Sequence, residues 1–284
     1  MIRRKTAGMK IGIGLPTAIP HTDGSLWVPW AQQAEELGFT SLSTIGRTVF
    51  DSHEELIVLA AAAAVTQKIR LSTTVMIGPP REAVLLAKQA ATLNNLSGGR
   101  LTLGLGVGWR PDDFEVTGHG SDWKRRGELL DELVQKLREV WTGGQIGPDA
   151  KGGPEILLGG AAPAALERAG KLADAFIAGP FPVDQINQHF AAVDAAAGAR
   201  KPRKMVSRYF ALGDVQEQLE KNVRAYYIAG GEDFVKGTLE GVLRTPEQIK
   251  AAVAELETTG ADELCLWPQI ASLDQVKLLS QALA

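Results

Sequence analysis

LNNLSGGRLTLGLGVGW, residues 93–109, contains a helix end, a turn and a strand in seventeen positions. The helix is the run from Arg81 to Leu96. Ser97-Gly98-Gly99 stops it, because glycine takes the left-handed C-cap conformation without a Cβ clash. Arg100 to Leu105 then reads as a buried strand. Gly104, Gly106 and Gly108 recur at period two, so one face of the strand end carries no side chains. Two readings follow for that bare face. A flat or charged ligand approaches the backbone there, or a neighbouring element packs against it. Trp109 stands at the mouth.

The same alternation extends in both directions from this unit. Strands are expected at Met9–Leu15, Thr40–Thr44, Ile69–Ile77, Ile156–Leu158, Ala175–Ala178, Met205–Leu212 and Glu263–Trp267. With the strand at Leu101 they make eight, and helical segments lie between them. The clearest helix runs from Ser121 to Trp141, with Leu129, Leu130, Leu133, Leu137 and Val140 at helical spacing. Ser52 and Glu55 have the spacing of a capping box at the start of the helix from His53. Regular strand–helix alternation argues for a parallel sheet, and eight repeats in 284 residues argue for an α/β fold of the (β/α)8 barrel type. An open doubly wound sheet is the runner-up. No composition shift marks a boundary, so residues 9–284 read as one domain. Residues 1–8 (MIRRKTAG) have no apolar run behind them and read as a disordered lead-in.

Net charge is −3 with the signs mixed along the chain, which excludes a basic stripe for nucleic acid. No apolar run approaches the roughly 20 residues of a membrane span. Cys265 is the single cysteine, so no intrachain disulfide can form, and a reducing cytoplasm is expected. His21, His53, His119 and His189 show no metal-ligand spacing. His21 and His119 are loop candidates for proton transfer. The glycines at 104, 106 and 108 lie inside a strand, which departs from the G-x-G-x-x-G dinucleotide fingerprint. No nucleophile elbow is present.

A barrel of this type carries its site at the C-terminal strand ends. There the chain is rich in glycine, proline and apolar residues. Gly159-Gly160-Ala161-Ala162 joins a strand to a helix without a bulky side chain. It reads either as an anion site at a helix N-terminus or as an ordinary tight turn. Gly179-Pro180 stands beside it in the next strand's loop. Little acid–base chemistry is evident, which points to a cofactor that supplies the reaction while the protein binds a small-molecule substrate.

Nearly the whole chain resembles the bacterial luciferase-like monooxygenase superfamily of flavin- or coenzyme F-420-dependent oxidoreductases. MKIGIGLP, AEELGFTSL, SGGR-x-x-x-GLGVGW and ILLGGAAPAALERAGKLADAFIAG carry the resemblance. It implies a (β/α)8 barrel, a homodimer, and FMN or coenzyme F-420 as cofactor. It also implies a non-proline cis peptide at Thr74-Val75 behind the cofactor ring. Gly106, Val107, Gly108 and Trp109 would line the ring or its side chain. Gly159, Gly160 and Ala161, with Ala178 and Gly179, would hold the phosphate arm. The expected activity is hydride transfer or monooxygenation on a small organic substrate.

Three departures bear on chemistry. Gly46-Arg47 replaces the Asp-His of many F-420-dependent relatives. Trp109 stands where a sugar-phosphate dehydrogenase branch has a glutamate, and Val107 where the luciferase branch has a phosphate-binding arginine. Arg47 and Trp109 are left as the catalytic candidates. Arg47 either meets a ring, a phosphate or an acidic substrate, or is a solvated loop residue. A non-catalytic flavin- or deazaflavin-binding protein is the alternative function. A hydrolase is disfavoured by the lack of paired carboxylates at the strand ends.

Overall fold

In the computed structural model, which describes residues 8–284, strands and helices alternate from end to end. The strands are β1 (Lys10–Gly14), β2 (Ser41–Thr44), β3 (Arg70–Thr73), β4 (Met76–Ile77), β5 (Leu101–Gly106), β6 (Glu155–Gly159), β7 (Ala175–Ala178), β8 (Arg203–Phe210) and β9 (Glu263–Pro268). The helices are α1 (Trp27–Glu36), α2 (Glu55–Val65), α3 (Ala83–Leu96), α4 (Asp112–Val116), α5 (Arg126–Gly143), α6 (Pro163–Leu172), α7 (Val183–Ala197), α8 (Gln216–Tyr227), α9 (Glu232–Glu240), α10 (Pro246–Glu257) and α11 (Asp274–Ala282). All pairings between these strands are parallel, β1 pairs with both β2 and β9, and β3 pairs with both β2 and β5. The sheet therefore closes, and the (β/α)8 barrel expected from the alternation is what forms. No helix of the described residues is long and apolar enough to cross a membrane. The lead-in expected at residues 1–8 falls outside the described residues for positions 1–7.

Nine strand segments occupy eight barrel positions because the third is interrupted. Ser72 pairs with Thr102, whereas Met76 pairs with Leu105. Four steps along one strand thus face three along its partner, which is a bulge. The Thr74–Val75 peptide inside it is cis, as the resemblance implies.

Local signals account for the helix ends. Gly98 and Gly99 both take positive φ, at 69° and 84°, and end α3 as the sequence requires. Thr245 and Gln248 form a capping box on α10. The box expected from Ser52 does not form. Glu54 caps α2 instead, accepting from the Ile57 amide at 2.9 Å. Glu55 is buried and paired with Arg81 at 3.0 Å, which removes it from the cap.

The floor of the barrel is ionic. Glu155, Arg203 and Arg70 each open a strand, and their side chains meet. Arg203 donates to both Glu155 oxygens (3.0 and 2.7 Å) and to Glu263 Oε2 (2.8 Å). Arg70 and Thr102 also donate to Glu155 Oε2, at 2.9 and 2.7 Å. Ser41 donates to the other Glu263 oxygen. Six strands are tied by this one network. Burial pushes the Glu155 carboxyl up, but Arg203, Thr102 and Arg70 outweigh it and hold its pKa below the ordinary value.

Arg203→Met should therefore destabilise the barrel by about 3–5 kcal/mol at neutral pH, because the buried Glu263 and the half-buried Glu155 lose their shared cation. Glu155 in the native chain contributes stability above its unfolded pKa of about 4.3, lost as pH falls through its lower folded value. In the variant Glu155 keeps only Arg70 and Thr102 and loses much of that contribution. The gap in urea-unfolding free energy between the two proteins should shrink as pH falls below about 4. A gap independent of pH would contradict this account of the floor.

Candidate active site

A cavity of about 330 Å3 opens at the opposite end, over the C-terminal ends of the strands. That volume is within the range of small-molecule sites. Its first wall is built by the bulge. Thr73 Oγ1 donates to the Gly104 carbonyl at 2.7 Å and accepts from the Gly104 amide at 2.8 Å, so a side chain replaces the missing ladder bonds. The Thr73 carbonyl would lie 1.9 Å from a Cβ at position 104. Of the two readings of the bare strand face, packing holds at Gly104.

Gly106 and Gly108 differ from it, because both line the cavity. Val75 rides over the strand end here. Its methyls would come 2.6 Å from a Cβ at Gly106 and 3.4 Å from one at Gly159. Val75 is thereby held between two glycines, with Leu157, Ile177 and Met205 packed beneath it. Thr74 is buried beside it, and its hydroxyl has no hydrogen-bond partner. A buried polar atom without a partner, in the wall of a cavity, marks a position for a polar ligand atom.

Thr74, Val75, Gly106, Val107, Gly108, Trp109, Gly159, Gly160 and Gly179 all line this one cavity. Two expected residues do not. Ala178 is fully buried in β7, and Ala161 is exposed just before α6. Trp109 is 47% exposed at the rim, against the Phe234 ring at 6.2 Å.

Arg47 is neither solvated nor free to meet an anion. Its side chain is 6% exposed, and its Nε donates to Asp113 Oδ2 at 2.9 Å. A second nitrogen donates to Asp112 Oδ1 at 2.8 Å. Asp112 is also paired with Arg110, and Asp113 Oδ1 accepts from the Val49 amide at 3.1 Å. Burial alone would lower the Arg47 pKa, but the two aspartates raise it above the ordinary value. These aspartates open α4, a short helix between β5 and α5. Arg47 and Asp113 are 66 positions apart, so no local spacing announces the pair.

The histidines stand apart from the cavity wall. His21 meets Asp51, His53 packs edge-on to Trp27, and His119 Nδ1 bonds the Thr117 carbonyl oxygen. His189 is buried, and burial lowers its pKa. Cys265 is buried and its thiol is pushed up to about 12 by burial, which leaves it unreactive. The far side is aromatic: Tyr209 and Trp267 stand at strand ends, where a site was expected, and Tyr226 and Tyr227, which sequence reading missed, come from α8.

Residues 9–263 match the family described as luciferase-like monooxygenase, and the chain belongs to that family. An uncharacterized protein of Mycobacterium tuberculosis is 43% identical over 84 residues, 30% of this chain and 29% of that protein, so the match spans under a third of that relative's length. Among solved structures, an F-420-dependent secondary alcohol dehydrogenase in complex with an F-420–acetone adduct superposes with a TM-score of 0.78 at 16% identity. That match covers 97% of this chain and 100% of the dehydrogenase. The oxygenating constituent of 3,6-diketocamphane monooxygenase from Pseudomonas putida, a type II Baeyer–Villiger enzyme in complex with FMN, gives 0.75 at 17% identity. That match covers 97% of this chain and 96% of the other. At these identities the two structures speak for the fold.

Gly104→Ala tests the wall. The added methyl meets backbone, not a movable side chain, so the variant should lose about 3 kcal/mol or more in urea unfolding. Gly98→Ala, at a helix C-cap with open space around it, should cost about 1 kcal/mol. Similar losses at both positions would argue against the close approach at the bulge.

Proposed function

Starting from that membership, we propose that the chain is a flavin- or deazaflavin-dependent oxidoreductase acting on a small organic substrate at the barrel mouth. The observation that carries this reading is the Val75 bulge, seated between Gly106 and Gly159 and facing the cavity. The wall fits FMN or coenzyme F-420. Val75 offers an apolar surface to one face of a flat ring, and the unpartnered Thr74 hydroxyl offers a hydrogen bond to its polar edge. Gly106, Val107 and Gly108 let a ring approach the strand end without side-chain collision, and Trp109 screens the rim. Gly159, Gly160 and Ala161, with Gly179 in the neighbouring loop, would hold the phosphate arm at the N-terminus of α6.

Either cofactor, when bound, supplies hydride exchange, and reduced FMN also supplies electrons for oxygen activation. The chain's own task is to orient, and to exclude water from, the reacting carbons. Arg47 takes a supporting part in this reading: its ion pairs hold the Gly46–Val49 loop against α4 and shape the cavity edge. A homodimer, a cytoplasmic location and a single domain over residues 9–284 complete the proposal.

Side-by-side titration of purified protein with FMN and coenzyme F-420, read by fluorescence quenching, decides between the cofactors. Micromolar or tighter binding of one is expected, and binding of neither would defeat the proposal. Ala162→Asp tests the phosphate assignment. Ala162 is the N-cap of α6 and makes no side-chain cap. Aspartate there should stabilise the helix by about 1 kcal/mol. The same carboxylate should repel a phosphate and weaken cofactor binding by about 1 kcal/mol or more. Stability rising while affinity falls is the expected outcome. Unchanged affinity would remove the phosphate from this turn.

A further inference from the structure

The chain has only three tyrosines, and all three line the cavity. Tyr209 comes from β8, and Tyr226 and Tyr227 come from the last turn of α8. Their rings are fixed by one another and by neighbours. Tyr226 meets Phe50 and Tyr227 edge-on, at 4.8 and 4.9 Å, and Tyr227 leans on Tyr209 at 5.9 Å. Pre-set rings place their hydroxyls without the ordering cost of a flexible donor.

Counting donors gives the site its chemistry. The Tyr209 and Tyr227 hydroxyls share one hydrogen bond. Two hydroxyls hold two hydrogens, so one hydrogen of the pair has no acceptor in that bond. A hydroxyl that already accepts a hydrogen bond is a better donor. Tyr226 makes no hydrogen bond to the described residues. Burial raises the pKa of all three phenols, so they stay protonated and donate through the physiological range.

The charge around them is balanced. Arg47 is the only charged residue among those lining the cavity, and Asp112 and Asp113 hold it. Asp112 is shared with Arg110, so two cations stand against two carboxylates. An anionic substrate group would find no free countercharge in the wall, and a cationic one no free carboxylate. A neutral oxygen acceptor on a flat molecule matches both the donors and the aromatic surface.

We propose that Tyr226 and the Tyr209–Tyr227 pair form a two-donor site for the oxygen of a neutral, flat carbonyl compound, which sets the substrate class of this cavity. The proposal rests on the reading of the cavity as the seat of cofactor and substrate. Its donors occupy the wall facing the Val75 bulge, and they act on the substrate oxygen, not on the cofactor.

The probe is para-dimethylaminocinnamaldehyde, a neutral flat aldehyde whose visible band moves to longer wavelength when its carbonyl oxygen accepts hydrogen bonds. Para-dimethylaminocinnamate is the anionic comparator. Both are titrated into the full chain, without cofactor and with whichever of FMN or coenzyme F-420 binds. Tyr226→Phe and the double variant Tyr209→Phe/Tyr227→Phe keep the rings and remove the donors, because either hydroxyl of the pair alone would still carry one free hydrogen. Each should weaken the aldehyde about fivefold and diminish the red shift, with cofactor affinity retained. The cinnamate should bind at least about tenfold more weakly than the aldehyde. No aldehyde binding to the native chain, an unchanged affinity and band position in both variants, or equal binding of the cinnamate would overturn the donor site. None of these would touch the cofactor reading. Failure of both cofactors to bind would defeat that reading alone, since the red shift in the cofactor-free protein tests the donors by itself.

Discussion

Thr73 and Gly104 exchange two hydrogen bonds through one hydroxyl, and the working end of the barrel depends on that exchange. The third strand carries one residue more than its partner, so the ladder cannot continue through it. A buried amide and a buried carbonyl would be left without partners there, each at a cost of about 1–3 kcal/mol. The threonine hydroxyl satisfies both. It can do so only because position 104 has no Cβ to fend off the Thr73 carbonyl. With the break sealed, Thr74 and Val75 are presented to the cavity and the sheet remains closed.

The two ends of the barrel handle charge differently, and the difference separates stability from chemistry. At the floor, two arginines and two glutamates, with the Thr102 and Ser41 hydroxyls, are wired across six strands. Such a network is no cheaper than an apolar plug of the same shape, but breaking it is costly. It therefore favours one closed arrangement of the strands over slipped ones. At the mouth, the Arg47 cluster is also balanced, but it lies to one side of the cavity. The centre is left to glycine, valine and phenol. A site of low polarity with few donors suits chemistry in which the reactive electrons are brought in by a bound group.

The fold was legible because it is a matter of repeats. Eight apolar strands, helical spacing between them and a glycine-capped α3 are local facts, each readable within about fifteen residues. The candidate wall was legible in part for the same reason: Gly106 and Gly159 end their strands, and Gly108 and Gly179 lie within two residues of a strand end. Gly104 shows where spacing stops being informative, since it belongs to the same period-two series and serves packing alone. Pairings across the barrel left no local trace. Arg47 needs Asp112 and Asp113, which open the short α4 some 65 positions further on. Glu55 has capping-box spacing from Ser52, yet it is drawn inward by Arg81, and Glu54 takes the cap. Tyr226 and Tyr227 were the largest omission. Tyr226-Tyr227 ends a helix and Tyr209 sits in a strand, and only the closure of the barrel brings them together. Three such residues in 284 positions were the one available signal.

The two walls of the cavity then divide the work by what each lacks. The bulge wall is poor in side chains, so a large flat group can lie on backbone and on Val75 with little to displace. The tyrosine wall is rich in rings but carries no charge, so it can orient an oxygen without stabilising an anion before reaction. A neutral phenol donor gains strength as negative charge develops on the oxygen it holds, whereas a free cation would already have bound an anionic ground state. The absence of the Asp-His pair and of the glutamate found in other branches is consistent with this arrangement. Those branches place a titratable acid or base at the second- and fourth-strand ends. Here the same positions are Gly46-Arg47 and Trp109, and the tyrosine hydroxyls stand on β8 and α8. In the proposed reading the bare glycine wall takes the cofactor, and the substrate meets hydrogen-bond donors that do not titrate in the working range.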